Sequence, residues 1–369
     1  MPFAGDNESK FVAGLRIEYK FDASTVPANN IIVVGASAGG ISAVRTFLNG
    51  LPEKLPAAIF VAIHTSPEGP GLLAAVLGRG TPLAVATAED GALIRHGRVY
   101  VAPPDYHLIV GKRRVHLSHG PREHRFRPAV DPLFRTAAQH HGPNTIGVVM
   151  SGHMADGTHG FKLIKRAGGV TIAQDPDEAE VPAMPLNAMR HDAVDYVLST
   201  HEMSRVIMGL LTNMRRGRGK APHNTVKPET PGAEYAEVDA LKSGELNGPP
   251  SPFTCPDCGG TLWEIKDEGL MRYRCHVGHA FTVDSLREGM TEKIEETLWT
   301  ALRAIEEAVE LRKRMQARGT RQRLTTFVKS LDSEIADLDE RAAALRALLL
   351  HPKKHTEQVN DTRKRQRRA

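Results

Sequence analysis

Ser37, His64 and Asp156 are residue types that can do chemistry together, provided the fold brings them to one place. Ser37 sits in Gly35-Ala36-Ser37-Ala38-Gly39-Gly40, the Gly-x-Ser-x-Gly pattern whose glycines leave room for a sharp turn under an exposed hydroxyl. A hydroxyl is a poor nucleophile until a base takes its proton, and imidazole does so near neutral pH. A carboxylate behind the ring fixes its tautomer and stabilises the imidazolium. Backbone N–H groups near Ala38 and around Gly152 and His153 would hold the oxyanion, each worth about 3 kcal/mol. Simpler readings stand beside this one. A strand, glycine turn and helix also make a plain βα connection or a phosphate cradle. Asp156 before Gly157 suits a helix N-cap, and His153, His159 and His191 are rival bases.

The elements must position these side chains. Ile31-Ile32-Val33-Val34 and Ala57 to Ile63 read as fully buried strands, with a helix over Ser42–Leu48 between them. Further on, a helix over 71–77 precedes a short strand at 83–86, and 98–117 reads as a hairpin region with strands at 99–102, 107–110 and 114–117. Helices at 128–141, 157–167, 185–191 and 204–214 alternate with strands at 145–150, 169–173 and 193–198. Repeated βα alternation with continuous apolar strands predicts an α/β fold, a doubly wound, mostly parallel sheet covered on both faces. Functional loops of such sheets lie at the carboxyl ends of the strands. Ser37, His64 and Asp156 each follow a strand and so should share one edge. The chain order serine, acid, histidine would be met by Ser37, Asp156 and His191. That order belongs to a fold needing several strands ahead of its nucleophile, and only about thirty residues precede Ile31. A dinucleotide site would need an acid about twenty residues on, where Ala57-Ala58-Ile59-Phe60 stand instead.

A second constellation lies towards the C-terminus. Cys255-Pro256-Asp257-Cys258-Gly259-Gly260 pairs two thiols at knuckle spacing, and Cys275-His276-Val277-Gly278-His279 follows. Three thiolates and one imidazole suit a closed, tetrahedral, structural zinc. His279 is the expected fourth ligand and His276 the alternative, because Gly278 permits a second turn like the first. Trp263 and Tyr273 are placed to pack around the metal, and no cofactor is expected for catalysis.

The chain of 369 residues, 41% hydrophobic and 25% charged, suits two or three soluble domains. Its net charge of +5 gathers in Arg215–Lys220 and Arg363–Arg368, read as solvated linker and tail rather than a nucleic-acid surface. No apolar run reaches membrane-spanning length and no secretory signal core follows the N-terminus, so a cytoplasmic protein is expected. The domain reading is a flexible leader (1–29), the α/β domain (30–214), a disordered linker (215–252), a zinc-ribbon-like module (253–282), a helical hairpin or coiled coil (283–350) and a basic tail (351–369). In the helices, Leu286, Met290, Ile294, Leu298, Leu302, Ile305 and Val309 form one seam. After a break at Gly319, Leu324, Val328, Leu331, Ile335, Leu338, Ala342, Leu345 and Leu349 form another, for an intramolecular hairpin or for self-association.

Residues 31 to about 200 resemble the catalytic domain of the chemotaxis protein-glutamate methylesterases, the CheB type. The matching stretches are Gly35–Gly40, the strand ending at His64, Val99–Leu108, Arg127–Phe134, Gly152–Gly157 and Met184-Pro185. The resemblance implies that Ser37, His64 and Asp156 form a catalytic triad on a doubly wound fold. It further implies hydrolysis of glutamyl methyl esters on chemoreceptors, often with deamidation of receptor glutamines. The best-known members carry a phosphorylatable receiver domain ahead of the esterase. The leader here is too short for one, so the chain resembles the stand-alone members and leaves no place for phosphorylation control within the chain. His153 and Met154 stand where the family pattern more often has methionine and glycine, which bears on substrate and not on the triad. Two other classes are kept in view. One is a non-catalytic signalling adaptor on the same fold, and the other is a nucleic-acid-binding regulator acting through the ribbon and basic tail.

Overall fold

The computed structural model describes residues 11–12, 15–16, 30–190, 194–215, 248–267 and 270–350. His191, most of the leader, residues 216–247 of the expected linker, both basic runs apart from Arg215, and the 351–369 tail lie outside the described residues. Within the leader, read as irregular throughout, β1 (Phe11–Val12) pairs antiparallel with β2 (Leu15–Arg16). Phe, Val and Leu are strand formers, and this outweighs the polar character of the surrounding sequence.

The α/β domain begins with β3 (Ile31–Ala36), α1 (Gly40–Asn49), β4 (Ala58–Ile63), α2 (Leu73–Leu77), β5 (Ala84–Thr87) and β6 (Arg98–Val101). A short antiparallel pair follows, β7 (His107–Val110) and β8 (Val115–Ser118). Then come α3 (Val130–His141), β9 (Thr145–Val149), α4 (Thr158–Arg166), β10 (Val170–Gln174), α5 (Ala183–Arg190), β11 (Tyr196–Leu198) and α6 (Thr200–Arg215). Seven strands form one sheet in the order β11-β10-β9-β3-β4-β6-β5, with every neighbouring pair parallel. Successive side chains of a strand point to opposite faces. Ile31 and Val33 enter a core with Phe60, Phe134 and Phe161, while Ile32 and Val34 enter another with Phe47 and Leu48. Both faces are therefore dry, which explains the unbroken apolar strands. One assignment needs correcting: β6 is not part of a hairpin but pairs parallel with both β4 and β5. Val99, Tyr100 and Val101 are all buried, as a sheet strand covered on both sides requires.

The chain leaves the central strand β3 towards β4 and later returns to its other side at β9. This reversal of strand order makes the crevice at the carboxyl ends of β3 and β9 the expected ligand site. Ser37 follows β3, His64 follows β4, and the loop carrying Asp156 follows β9.

The cysteine module is a four-stranded antiparallel meander of β12 (Pro250–Thr254), β13 (Thr261–Asp267), β14 (Leu270–Cys275) and β15 (Ala280–Thr282). Residues up to Leu286 form one compact unit and those from Arg287 a second. The second unit is built on α7 (Val283–Arg321), whose first four residues belong to the first unit, and on α8 (Thr325–Leu350). An ion pair between Arg312 and Glu334 at 2.8 Å, with another between Arg346 and Glu306, ties the two helices as a hairpin. Of the expected seams, Leu302, Val309, Leu331 and Ala342 are buried, but Ile294 is 63% exposed and leaves the seam. Gly319 does not break the helix. A single glycine costs only about 1 kcal/mol there. A Cβ at Gly319 would press within 3.1 Å of Phe327 and Val328, so the glycine serves close approach instead. The helix ends at Arg321, and the left-handed residue of its cap is Arg323, at φ +57°. Leu324 N–H donates to Gly319 C=O and Arg323 N–H to Thr320 C=O, the paired bonds of a Schellman cap. No described helix is long and apolar enough to cross a membrane.

Candidate active site

Ser37 stands between the end of β3 and the start of α1, half-buried. Its N–H donates to Ser151 C=O at 2.9 Å, while the Ser151 hydroxyl donates to Ala38 C=O at 2.7 Å, so Ser151 clamps the turn from both sides. The left-handed residue of the turn is Gly39 (φ +73°), not the serine. A Cβ at Gly39 would lie 2.7 Å from Glu180 Cβ and from Ser151 Oγ, which only glycine avoids. Gly152 is equally constrained, since a Cβ there would fall 2.8 Å from Ser37 Cβ and 2.2 Å from Met184 Sδ. The loop after β9 thus packs directly against the serine.

Ser37, Ala38 and His64 line one open cleft of about 770 Å³. His64 Nε2 lies 2.8 Å from Asp156 Oδ2, with the two side chains 2% and 0% exposed. A carboxylate only accepts, so Nε2 carries the proton. His64 Nδ1 is buried without a hydrogen-bond partner among the described residues, which leaves its lone pair available. The ring is held flat by Phe126, stacked at 3.7 Å between centroids and 7° between planes.

Asp156 does not cap its own helix, where Gly157 is the N-cap residue. It accepts instead from Val130 N–H at 2.6 Å and Asp131 N–H at 2.9 Å, the first N–H groups of α3. Asp131 on α3 in turn accepts from Gly160 N–H of α4 at 2.7 Å. The two helices cap each other, and each carboxylate sits at a positive helix end. His124 Nε2 donates to Asp131 Oδ2 at 2.8 Å and lies 3.7 Å from Asp156 Oδ1. Burial pushes the His124 pKa down, but the Asp156, Asp131 and Glu123 carboxylates outweigh it and the net shift is upward.

Ala38 lines the cleft, and its N–H has no partner among the described residues. His153 is exposed and is not among the lining residues. His159 is buried and accepts from Arg272 at 3.2 Å, so this rival imidazole is occupied elsewhere. Phe126, His124 and Ser151 had no sequence signal of their own. Each acts through a partner more than twenty residues away, beyond the reach of any local pattern. The cleft is also lined by Arg45, Arg122, Arg125 and Arg127, against the single acid Glu180.

A family model described as CheB methylesterase matches residues 32–207. A putative protein-glutamate methylesterase/protein-glutamine glutaminase of Leptospira interrogans is 38% identical over 183 residues, 49% of this chain and 95% of its own length. The chain belongs to the CheB methylesterase family. Members from Pyrococcus abyssi and Paraburkholderia xenovorans are 35% and 38% identical over 206 and 198 residues. The chain spans 56% and 54% of the length of these two longer CheB relatives. The crystal structure of the Thermotoga maritima CheB methylesterase catalytic domain aligns with TM-score 0.48 and 33% identity, covering 49% of this chain and 98% of that one. The CheB match ends ahead of the cysteine module.

In that module the atoms Cys255 Sγ, Cys258 Sγ, Cys275 Sγ and His279 Nδ1 all lie within 4.8 Å of one another. Cys258 Sγ and Cys275 Sγ are 3.6 Å apart, and His279 Nδ1 is 3.6 Å from Cys255 Sγ and 3.5 Å from Cys275 Sγ. A tetrahedral zinc with Zn–S of about 2.3 Å and Zn–N of about 2.0 Å separates its ligand atoms by about 3.5–3.8 Å. A disulfide would need about 2.05 Å. The donor set fits zinc, with His279 rather than His276 aimed into it; His276 is exposed. Hydrogen bonding from Cys255 and His279 holds the Cys275 thiol down to about 3, while its bond to Cys275 and burial push Cys255 up. Three close thiols cannot all ionise without a cation among them.

Proposed function

We propose that this chain is a serine hydrolase that demethylates glutamyl methyl esters, and deamidates glutamines, on a methylated chemoreceptor or related signalling protein in the cytoplasm. Ser37 Oγ attacks the ester carbonyl as His64 Nδ1 takes its proton. Methanol (ammonia from a glutamine) leaves with that proton, and water then hydrolyses the acyl-serine by the same route. In the serine-protease arrangement the histidine takes the proton on Nε2 and bonds the acid through Nδ1. In this reading the ring is used the other way round, because Nε2 faces Asp156 at 2.8 Å. Asp156 holds the tautomer and stabilises the imidazolium. Ala38 N–H is the oxyanion donor that the cleft supports best; His153 N–H is the second. Four arginines on the cleft favour an acidic protein segment, as a glutamate-rich target presents.

The observation that carries this reading is the 2.8 Å bond to buried Asp156 made by His64, which lines the same cleft as Ser37. Methanol release from a methylated receptor fragment tests it. Ser37→Ala should reduce turnover by about a thousandfold or more while leaving the circular dichroism spectrum unchanged. Full activity in that variant would overturn the assignment of Ser37, and no methanol release from the wild-type chain would favour a docking role for the same fold. Cys255, Cys258, Cys275 and His279 hold one structural zinc in this reading. Its test is metal content, with one equivalent per chain expected and loss of that equivalent in Cys258→Ser.

A further inference from the structure

Loop 123–127 carries Phe126 onto the His64 ring, and the same loop is gripped by the cysteine module. His124 N–H donates to Ala280 C=O at 2.8 Å, and Glu123 forms a bridge with Ala280 on β15. His124 Nδ1 lies 2.9 Å from Ser285 Oγ, itself 2.9 Å from the Thr282 N–H that donates to it. Glu123 forks onto Arg135 of α3 at 2.8 and 3.2 Å and lies 3.6 Å from Arg274 of β14. Arg125 meets Asp257 of the Cys255–Cys258 turn at 3.4 Å. Apart from Arg125 and Asp257 these residues are buried, so the contacts form a packed seat and not a passing touch.

The backbone of this loop shows what the seat does. His124 and Arg125 adopt φ +51° and +72°, left-handed conformations that side-chain-bearing residues rarely take. Such strain persists only where surrounding structure over-determines it. Here much of that structure is the module, and the strained pair sits immediately before Phe126. A loop free to relax would carry Phe126 off the imidazole and His124 off the two carboxylates.

We propose that the cysteine module is a positioning element of the hydrolase site, with Ser285, in the first turn of the helix that follows it and bonded back to Thr282, anchoring His124 so that the 123–127 loop holds Phe126 on His64 and His124 beside Asp156. The proposal rests on the hydrolase reading of Ser37, His64 and Asp156. It gives the module a role in turnover itself, separate from any role in docking a partner.

The test uses the full zinc-loaded chain, p-nitrophenyl acetate as probe, and the His64 ring proton resonances, assigned by substitution. Ring stacking on Phe126 shifts those resonances upfield. Ser285→Ala should move them back towards ordinary values and lower kcat by about tenfold, the scale of a small misplacement. KM and zinc content should stay unchanged. Ser285→Thr, which restores the hydroxyl, should recover both readouts; a role confined to stability or partner docking would move neither. Should Ser285→Ala fail to fold, Asp257→Asn on the exposed turn removes the charge that Arg125 meets, and a smaller shift in the same direction is expected. His64 resonances and kcat at wild-type values in the folded variant would overturn the proposal. Shifted resonances in a protein whose turnover does not depend on Ser37 would sink the hydrolase reading and leave the positioning role standing.

Discussion

His64 differs from the buried imidazoles of His107 and His124, both of whose ring nitrogens have hydrogen-bond partners. His107 donates from Nε2 to Pro121 C=O at 2.9 Å and accepts from Ala129 N–H at 3.2 Å, which is the neutral form. Burial holds the His107 pKa down, and burial with Arg272 holds His159 well down. His124 goes the other way. The signs predict a stability maximum near the unfolded histidine value of about 6.5. Below it, the unfolded chain takes up protons at positions 107 and 159 that the native chain refuses, so stability falls as pH drops. Each group contributes up to about 1.4 kcal/mol per pH unit. Above it, native His124 keeps a proton that the unfolded chain has lost, so stability falls as pH rises through the raised value. Urea unfolding followed by circular dichroism from pH 5 to 8 checks this. His159→Asn should flatten the acid side and His124→Asn the alkaline side. The shared sheet edge of Ser37, His64 and Asp156 was legible because each follows a recognisable strand. Asp156's true partners, the N–H groups of Val130 and Asp131, were not, because capping across 25 residues leaves no mark in either segment.

At the scale of elements, the strands announced themselves and their neighbours did not. Ile31–Ala36 and Ala58–Ile63 are apolar at every position because both faces are covered. The reading of β6 as hairpin failed because Pro103-Pro104-Asp105 does turn the chain, but into a separate antiparallel pair. Gly319 misled for a related reason: a glycine inside a helix and a glycine ending one look alike, and what decides is the space beside Phe327 and Val328. The actual stop is a left-handed Arg323, which predicts a simple improvement. Arg323→Gly should stabilise the hairpin by about 0.5 kcal/mol, relieving the left-handed penalty less glycine's extra unfolded freedom. Thermal melting of the helical signal measures it, and an unchanged or lower midpoint would contradict the cap assignment.

Across the whole molecule, the family match and the cysteine module are joined by chemistry that neither sequence alone displays. Glu123 is buried between Arg135 and Arg274, and burial, which opposes its charge, is outweighed by these guanidinium groups, which hold its carboxyl well below the ordinary range. Glu123→Gln should cost about 3 kcal/mol of unfolding free energy, because it removes the buried negative charge that two buried guanidinium groups face. The loss should vanish only in strong acid, where the native carboxyl is itself protonated; chemical denaturation at pH 7 and at low pH compares the two.

The reciprocal capping of α3 and α4 has a bearing on how such a protein can decay. Asp156 is at once the partner of His64 and a bolt through the N-terminus of a neighbouring helix, so its loss would be felt as instability before it was felt as inactivity. Ser37 has no comparable second duty for its hydroxyl. Descendants that abandon hydrolysis and survive as scaffolds should therefore discard the serine and retain the acid, and a surviving aspartate at that position is no proof of a working enzyme.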